Sequence, residues 1–271
     1  AHSDPNMGNA PSVHPRIVNE EINKEAAHYG RLMRELWDTS GEDRLLVGVD
    51  ADAIQARIFA HLVKSQDLIT AIVTGKKEDG TDIHSLHKRA LGKVCKDREK
   101  SKTFFYAFLL GAQDAKVADI FGCPLPEAKK ARAGFFELYP GLTEITEGRI
   151  PEDAAKGYFT GLDGRLVAVP GEDFEKKKRI MLAGYLQNGE ATIMKHACVL
   201  WHERLKDCRD QWAFQNFVHD EWQTEVKGGM EFAEHVAGVQ MDTIKVAGEQ
   251  FNLILPLLGT KKIGLNWMKT H

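Results

Sequence analysis

Two aspartates at the ends of apolar runs are the side chains in this sequence best placed to do chemistry. Asp50 closes Leu45-Leu46-Val47-Gly48-Val49, and Asp220 follows Asn216-Phe217-Val218-His219 and precedes Glu221-Trp222. Both runs carry the β-branched and aromatic content of strands. A lone carboxylate buried inside such a run costs on the order of several kcal/mol unless a cation neutralises it. If the two run ends meet, Asp50 and Asp220 form a paired-carboxylate site for hard divalent cations. Mg2+ favours one or two carboxylates completed by substrate phosphates. The chemistry of such a pair is two-metal phosphoryl or nucleotidyl transfer.

A second group is Arg98, Lys102 and Tyr106, spaced by four residues. On a helix this spacing keeps them on one face, each about 40° round from the last. Two cations one turn apart repel by roughly a few tenths of a kcal/mol, which an anionic ligand relieves. Arginine presents a planar fork to phosphate oxygens and lysine a point charge. Tyr106 adds a ring on which a sugar or base can rest. The competing reading is a solvated basic face whose aromatic residue turns into the core. The run Lys176-Lys177-Lys178-Arg179 has the same two readings, a solvated face or a contact to a phosphate backbone.

Periodicity supplies a frame for these groups. Helical patterns cover 22–37, 53–74, 98–111, 127–138, 175–205 and 230–248, and a further helix capped by Asp82 runs to Leu91. Strands are expected at 45–50 and 251–258, a hairpin at His219-Asp220, and a short β-prone run at 166–169. Strands thus fall toward both ends of the chain with a helical block between. That order implies an α+β fold, a β-containing base carrying a helical insertion.

At 271 residues, 43% apolar and 28% charged, the chain reads as a soluble globular protein with a substantial core. Its net charge of −3 provides no global basic field, so any nucleic-acid surface has to be local. Cys95, Cys123, Cys198 and Cys208 show neither metal-finger spacing nor a secreted disulfide framework, which points to a reduced, cytoplasmic setting. No apolar stretch approaches the roughly 20 residues that span a bilayer, so no membrane partner is expected. The opening Ala1-His2-Ser3-Asp4-Pro5-Asn6 reads as the start of a processed or trimmed piece.

Several segments occur in an order that carries a resemblance. They are Val49-Asp50-Ala51-Asp52-Ala53-Ile54-Gln55-Ala56-Arg57, the stretch from Arg98 through Lys102 and Tyr106 to Gly111, and Val218-His219-Asp220-Glu221. Supporting them are Pro5-Asn6-Met7-Gly8-Asn9, Asp82-Ile83-His84, Leu162-Asp163-Gly164-Arg165, Leu186-Gln187-Asn188-Gly189 and the ending Gly264-Leu265-Asn266-Trp267 through His271. In these the chain resembles the polymerase domain of family A, DNA polymerase I-like DNA polymerases, and its ending resembles the phage replicative members.

The resemblance implies a right-hand architecture. An antiparallel palm sheet with helices would occupy 1–62 and 191–271, and helical fingers 63–190. It implies template-directed addition of dNTPs to a primer 3′-hydroxyl, with two Mg2+ ions held by Asp50, Asp220 and the backbone carbonyl of Ala51. His84, Arg98 and Lys102 correspond to the triphosphate grip, with Lys102 the proton donor to pyrophosphate. Tyr106 and Gln55 correspond to residues near the incoming sugar. Arg179, Gln187 and His219, with Asn6 and Asn9, correspond to residues along the primer–template DNA, and Glu221 to a secondary acidic residue. For a phage protein the setting would be the host cytoplasm.

Departures from the family pattern carry their own expectations. Gln55 stands where a glutamate commonly blocks the ribose 2′-hydroxyl; the similar size predicts sugar discrimination that weakens but persists. Leu110 replaces a tyrosine that stacks at the template position, and Ala183 replaces an asparagine. Family members carry a thumb, and often a proofreading exonuclease, before the palm, whereas this sequence begins just inside the palm. A second polypeptide, or a missing N-terminal part, is therefore expected to supply the thumb, and the chain alone to bind primer–template poorly. Two other readings stay open: a single-subunit RNA polymerase-like enzyme, and a non-catalytic DNA-binding subunit derived from a polymerase.

Overall fold

The computed structural model describes residue 13, the backbone of residues 16–18 and 21–23, and residues 24–271. Elements run in the order β1 (Arg16–Val18), β2 (Glu21–Asn23), α1 (Lys24–Glu35), β3 (Arg44–Ala51), α2 (Ile54–Val63), α3 (Gln66–Val73), α4 (Ile83–Leu91), α5 (Arg98–Leu109), α6 (Asp114–Phe121) and α7 (Leu125–Leu138). They continue with α8 (Pro140–Glu144), α9 (Ile150–Lys156), β4 (Tyr158–Thr160), β5 (Leu166–Ala168), α10 (Phe174–Arg204), β6 (Trp212–Val218), β7 (Glu221–Lys227), α11 (Gly229–Gln250), β8 (Gly259–Gly264) and α12 (Trp267–Thr270). The chain divides into two compact units. The first comprises Ala1–Asp52, Ile193–Gln250 and Pro256–His271, and the second Ala53–Thr192 with Phe251–Leu255.

The first unit is built on an antiparallel sheet of order β6-β7-β3-β8. Register pairs Asp50 with Glu221 on one side and with Thr260 on the other. Since alternate residues point to opposite faces, the two sides of this sheet have different characters. Val47, Val49, Trp222 and Val226 are buried on one face, together with Ala233, Val236, Ala237 and Ile244 of α11. Gln240 of α11 donates to the Thr224 hydroxyl at 2.8 Å on that same face. The opposite face carries Gly48, Asp50, Glu221, Gln223, Thr260 and Lys262, with α12 packed near β3 and β8. Gly48 is required there: a Cβ would stand 2.2 Å from the Thr270 carbonyl oxygen.

The last strand lies beyond the position expected from sequence, at Gly259–Gly264 rather than 251–258. Pro256 offers no N–H to a ladder and restricts Leu255, while Asn252 adopts φ 55°. Two of the apolar residues of that stretch, Leu255 and Leu257, are buried as core, while Ile254 and Leu258 are exposed.

An aromatic core holds the second unit together. Phe59, Phe104, Phe105, Phe108, Phe121, Phe135 and Tyr139 are all buried, with Phe108 and Phe135 ring centroids 4.9 Å apart. The helical pattern over 53–74 resolves into α2 and α3. Lys64 turns left-handed at φ 52°, and the Ser65 hydroxyl caps α3 by accepting from the Leu68 amide. Asp82 caps α4 and Asp97 caps α5, the latter accepting from the Lys100 amide at 2.7 Å.

Candidate active site

The central strand of the first unit delivers Asp50 at its end, where the adjacent hairpin turns through His219 and Asp220. Val218 and Glu221 are paired, so these two residues alone form the turn. His219 takes the left-handed conformation at φ 55°, uncommon for a residue with a side chain and a tight way to reverse the strand. The Ala51 amide donates to the Asp220 carbonyl at 3.0 Å, which ties the end of β3 to the turn. Asp50, Ala51, His219, Asp220 and Glu221 are thereby brought together.

Electrostatics single out this cluster. Burial of its surroundings and then the carboxylates of Asp220, Glu221 and Asp52 push the Asp50 carboxyl up to about 7, with Lys262 offsetting part of the effect. The Asp220 carboxyl is also raised, chiefly by burial. Carboxyls shifted this way stand in a field short of positive charge, and divalent cations are the usual remedy. The donors are hard oxygens, which fit Mg2+. Among the described residues no three or more His, Cys, Asp or Glu side chains form a group able to hold a metal. The oxygen donors this end of the sheet could offer a cation are the Asp50 and Asp220 carboxylates and the Ala51 carbonyl.

Glu221 is differently engaged. Its carboxylate is buried and accepts from the Trp267 indole N–H at 2.7 Å and from the Gln223 amide, while its other oxygen meets His271 Nδ1 at 2.6 Å. Thr270 completes this network by donating to Gln223 Oε1 at 2.6 Å. A cavity of about 180 Å³ opens beside it, lined by Asp50, Thr260, Lys261, Lys262 and His271.

In the second unit, α5 presents Arg98, Lys102 and Tyr106 along successive turns. Arg98 is clamped to Asp82, with Nε and Nη2 at 3.0 and 2.6 Å from one carboxylate oxygen. Although burial acts against ionisation of Asp82, hydrogen bonds from Arg98 and Ser85 hold its carboxyl well below the usual range. His84 follows that cap, 6% exposed, with its ring 6.0 Å from Tyr106. Burial and then the Arg98 charge push His84 down to about 4, so its ring is neutral at physiological pH. Lys102 is exposed and makes no ion pair among the described residues.

The other candidates in this unit lie on α2 and α10. Gln55 on α2 donates from its amide to Glu190 Oε2 at 2.7 Å. Gln187 is exposed on α10. Arg179, also exposed on α10, lines a cavity of about 330 Å³ with Phe108, Gly111, Arg132, Phe136 and Lys178. Gly111, at φ 87°, has room for no side chain there, since a Cβ would lie 2.6 Å from the Arg179 carbonyl oxygen. Asn6 and Asn9 lie outside the described residues.

Sequence reasoning missed the partners more than the principals. Asp82 was legible as a helix cap but not as the clamp on Arg98. Glu190, Gln223 and Lys262 carried no motif of their own. The Gly264-Leu265-Asn266-Trp267 ending was legible as a resemblance to phage members, but not the contacts of Trp267 and His271 with Glu221.

Comparisons with known proteins give the family and the fold. The family model for DNA polymerase family A matches residues 1–269. The DNA-directed DNA polymerase of Escherichia phage Phieco32 is 34% identical over 194 residues, covering 70% of this chain and 30% of that protein. The DNA-directed DNA polymerase of Enterobacteria phage T3 is 26% identical, covering 100% of this chain and 39% of its own length. DNA polymerase I of Streptococcus pneumoniae is 27% identical, covering 96% and 30%. The chain thus spans less than half the length of the curated relatives it matches. Among solved structures, the polymerase domain of Pol1 from M. smegmatis, in complex with DNA primer-template and dNTP, superposes with a TM-score of 0.78 at 22% identity, covering 98% of this chain and 45% of that one. That likeness shows the fold, an antiparallel sheet with helices of the polymerase-domain type. With nearly every residue matched by the family model, the chain belongs to DNA polymerase family A.

Proposed function

We propose that this chain is a polymerase catalytic portion that adds dNTPs to a primer 3′-hydroxyl on template DNA. The observation that carries this reading is the meeting of Asp50 and Asp220 at one end of the sheet, with both carboxyls raised. Asp50, Asp220 and the Ala51 carbonyl would hold two Mg2+ ions. When bound, these supply acidification of the primer hydroxyl and neutralisation of the triphosphate.

Residues of the chain then divide the remaining work. Arg98, kept in place by Asp82, and Lys102 grip the triphosphate, and Lys102 gives a proton to the leaving pyrophosphate as the new phosphodiester bond forms. His84, neutral and packed beside Tyr106, donates or accepts without adding charge. Tyr106 rests against the incoming sugar and Gln55 stands at its 2′ position. Arg179, Gln187 and His219 line the duplex. There Gln187 can pair with minor-groove acceptors common to all correct base pairs.

Primer extension tests the reading. The chain supplied with a thumb, from a second polypeptide or an N-terminal part, should with primer–template and Mg2+ give template-directed products with dNTPs, and Asp220→Ala should remove them. Extension that survives Asp220→Ala overturns the metal assignment. Extension that prefers rNTPs overturns the choice of substrate.

A further inference from the structure

The environment of Gln55 contains a partner that the motif does not announce. Gln55 opens the first turn of α2, half-buried, and its side chain reaches Glu190 on α10 at 2.7 Å. Glu190 is only 7% exposed. The two helices meet closely at this level because residue 189 is glycine. A Cβ there would stand 3.3 Å from Ile58 Cδ1, and Ile58 lies one turn along α2 from Gln55. The contact is thus built into the packing rather than made by two surface side chains that happen to meet.

The Gln55 amide nitrogen is the donor and Glu190 Oε2 the acceptor. This contact turns the amide nitrogen of Gln55 toward α10. It also removes most of the rotamer freedom of a glutamine, a residue whose side chain is otherwise among the most mobile. A wall that excludes one hydroxyl group works only if it cannot swing aside.

We propose that Glu190 is a positioning residue for sugar selection: by anchoring the Gln55 amide, it makes a neutral glutamine into a fixed barrier against a ribose 2′-hydroxyl. This rests on the reading of the chain as a dNTP-adding polymerase with Gln55 at the 2′ position. The ligand class is the nucleoside triphosphate, and the property set by the pair is deoxyribose over ribose. Glu190 itself touches no substrate and acts through Gln55.

Single-nucleotide incorporation by the full chain, comparing dATP with ATP opposite template thymine, tests this. The quantity read is the ratio of kcat/KM for the two substrates. Glu190→Met keeps the volume and removes the acceptor; it should lower the ratio about tenfold, as one lost positioning contact does. Glu190→Gln keeps an acceptor and should hold the ratio within about twofold of wild type. Gln55→Ala should lower the ratio at least as far, and adding Glu190→Met to it should change nothing more.

A purely structural role for Glu190 would depress both substrates equally and leave the ratio alone, and that result overturns the proposal. A ratio that rises in Glu190→Met also overturns it, because the anchored amide would then be welcoming the hydroxyl. If Glu190→Met does not fold, Glu190→Gln/Gln55→Glu, which exchanges the amide and carboxylate, serves instead. It should keep the ratio, and loss of discrimination in a folded exchange variant contradicts the pair. Absence of any extension by wild type with the thumb supplied would overturn the polymerase reading itself, an outcome distinct from extension with an unmoved ratio.

Discussion

The backbone amide of Ala51 donates to the backbone carbonyl of Asp220 across 3.0 Å. Because main chain joins main chain here, the positions of the two carboxylates do not depend on the carboxylates themselves. Replacing either by its amide should leave the sheet intact while relieving the crowding of negative charge. We predict that Asp50→Asn and Asp220→Asn melt at or above the wild-type temperature in metal-free buffer at pH 8. Extension should nevertheless fall by about a thousandfold, equivalent to roughly 4 kcal/mol of barrier. Calorimetric melting beside a primer-extension rate checks both halves, and a large loss of stability would show that the side chains, not the backbone, organise the site.

The raised Asp50 carboxyl gives a pH dependence with a definite sign. Its value in the fold, about 7, exceeds the ordinary 3.8, so between these values the folded chain binds more protons than the unfolded one. Asp50 therefore contributes stability at low pH that is lost as pH rises through about 7. A divalent cation replaces the proton above that range. The melting temperature gained on adding 10 mM Mg2+ (about that concentration suffices) should be larger at pH 8 than at pH 6. Asp50→Asn should abolish the difference; equal gains at the two pH values in wild type would contradict it.

Asp82 performs two tasks that substitution can separate. Asparagine is as good a helix N-cap as aspartate but carries no charge for Arg98. Asp82→Asn should therefore keep the cap, lower stability through the lost Arg98 ion pair, and raise the KM for dNTPs several-fold because Arg98 is no longer held. Asp82→Ala removes the cap as well and should cost about 1 kcal/mol more in urea unfolding. Equal stability of the two variants would mean that the cap contributes nothing.

Gly48 and Glu221 hold the chain's last residues against the sheet. Gly48→Ala drives a methyl group into the Thr270 carbonyl, so residues 266–271 must lift away. Glu221→Gln removes one of the acceptors shared by Trp267 and His271, with a cost of roughly 1–3 kcal/mol for the buried donor left unpaired. Hydrogen exchange should accelerate at Trp267 and Lys269 in both variants. Unchanged protection would show that this segment is held by something else.

What could be read from the sequence follows from what the residues announce locally. Asp50 and Asp220 were legible because each ends an apolar run, and Arg98, Lys102 and Tyr106 because a period of four belongs to helices. The caps at Asp82 and Ser65–Leu68 illustrate the limit: Asp82 was readable from its position, whereas the break at Lys64 had no glycine or proline to mark it. The strand expected at 251–258 failed because Pro256 and the left-handed Asn252 interrupt a ladder in that apolar run, of which Leu255 and Leu257 are buried. Partners such as Glu190 for Gln55, 135 positions apart, were out of reach, since they arise only when α2 and α10 pack.

The most direct measurement is Mn2+ binding to the metal-free chain, followed by electron paramagnetic resonance with the primer–template and a non-hydrolysable dNTP analogue. Asp50 and Asp220 acting as a shared cation site predicts that wild type binds two ions per chain, and that Asp50→Asn and Asp220→Asn each weaken binding at least about tenfold. Full Mn2+ occupancy in both variants, or extension that persists in them, would contradict the assignment of these two aspartates.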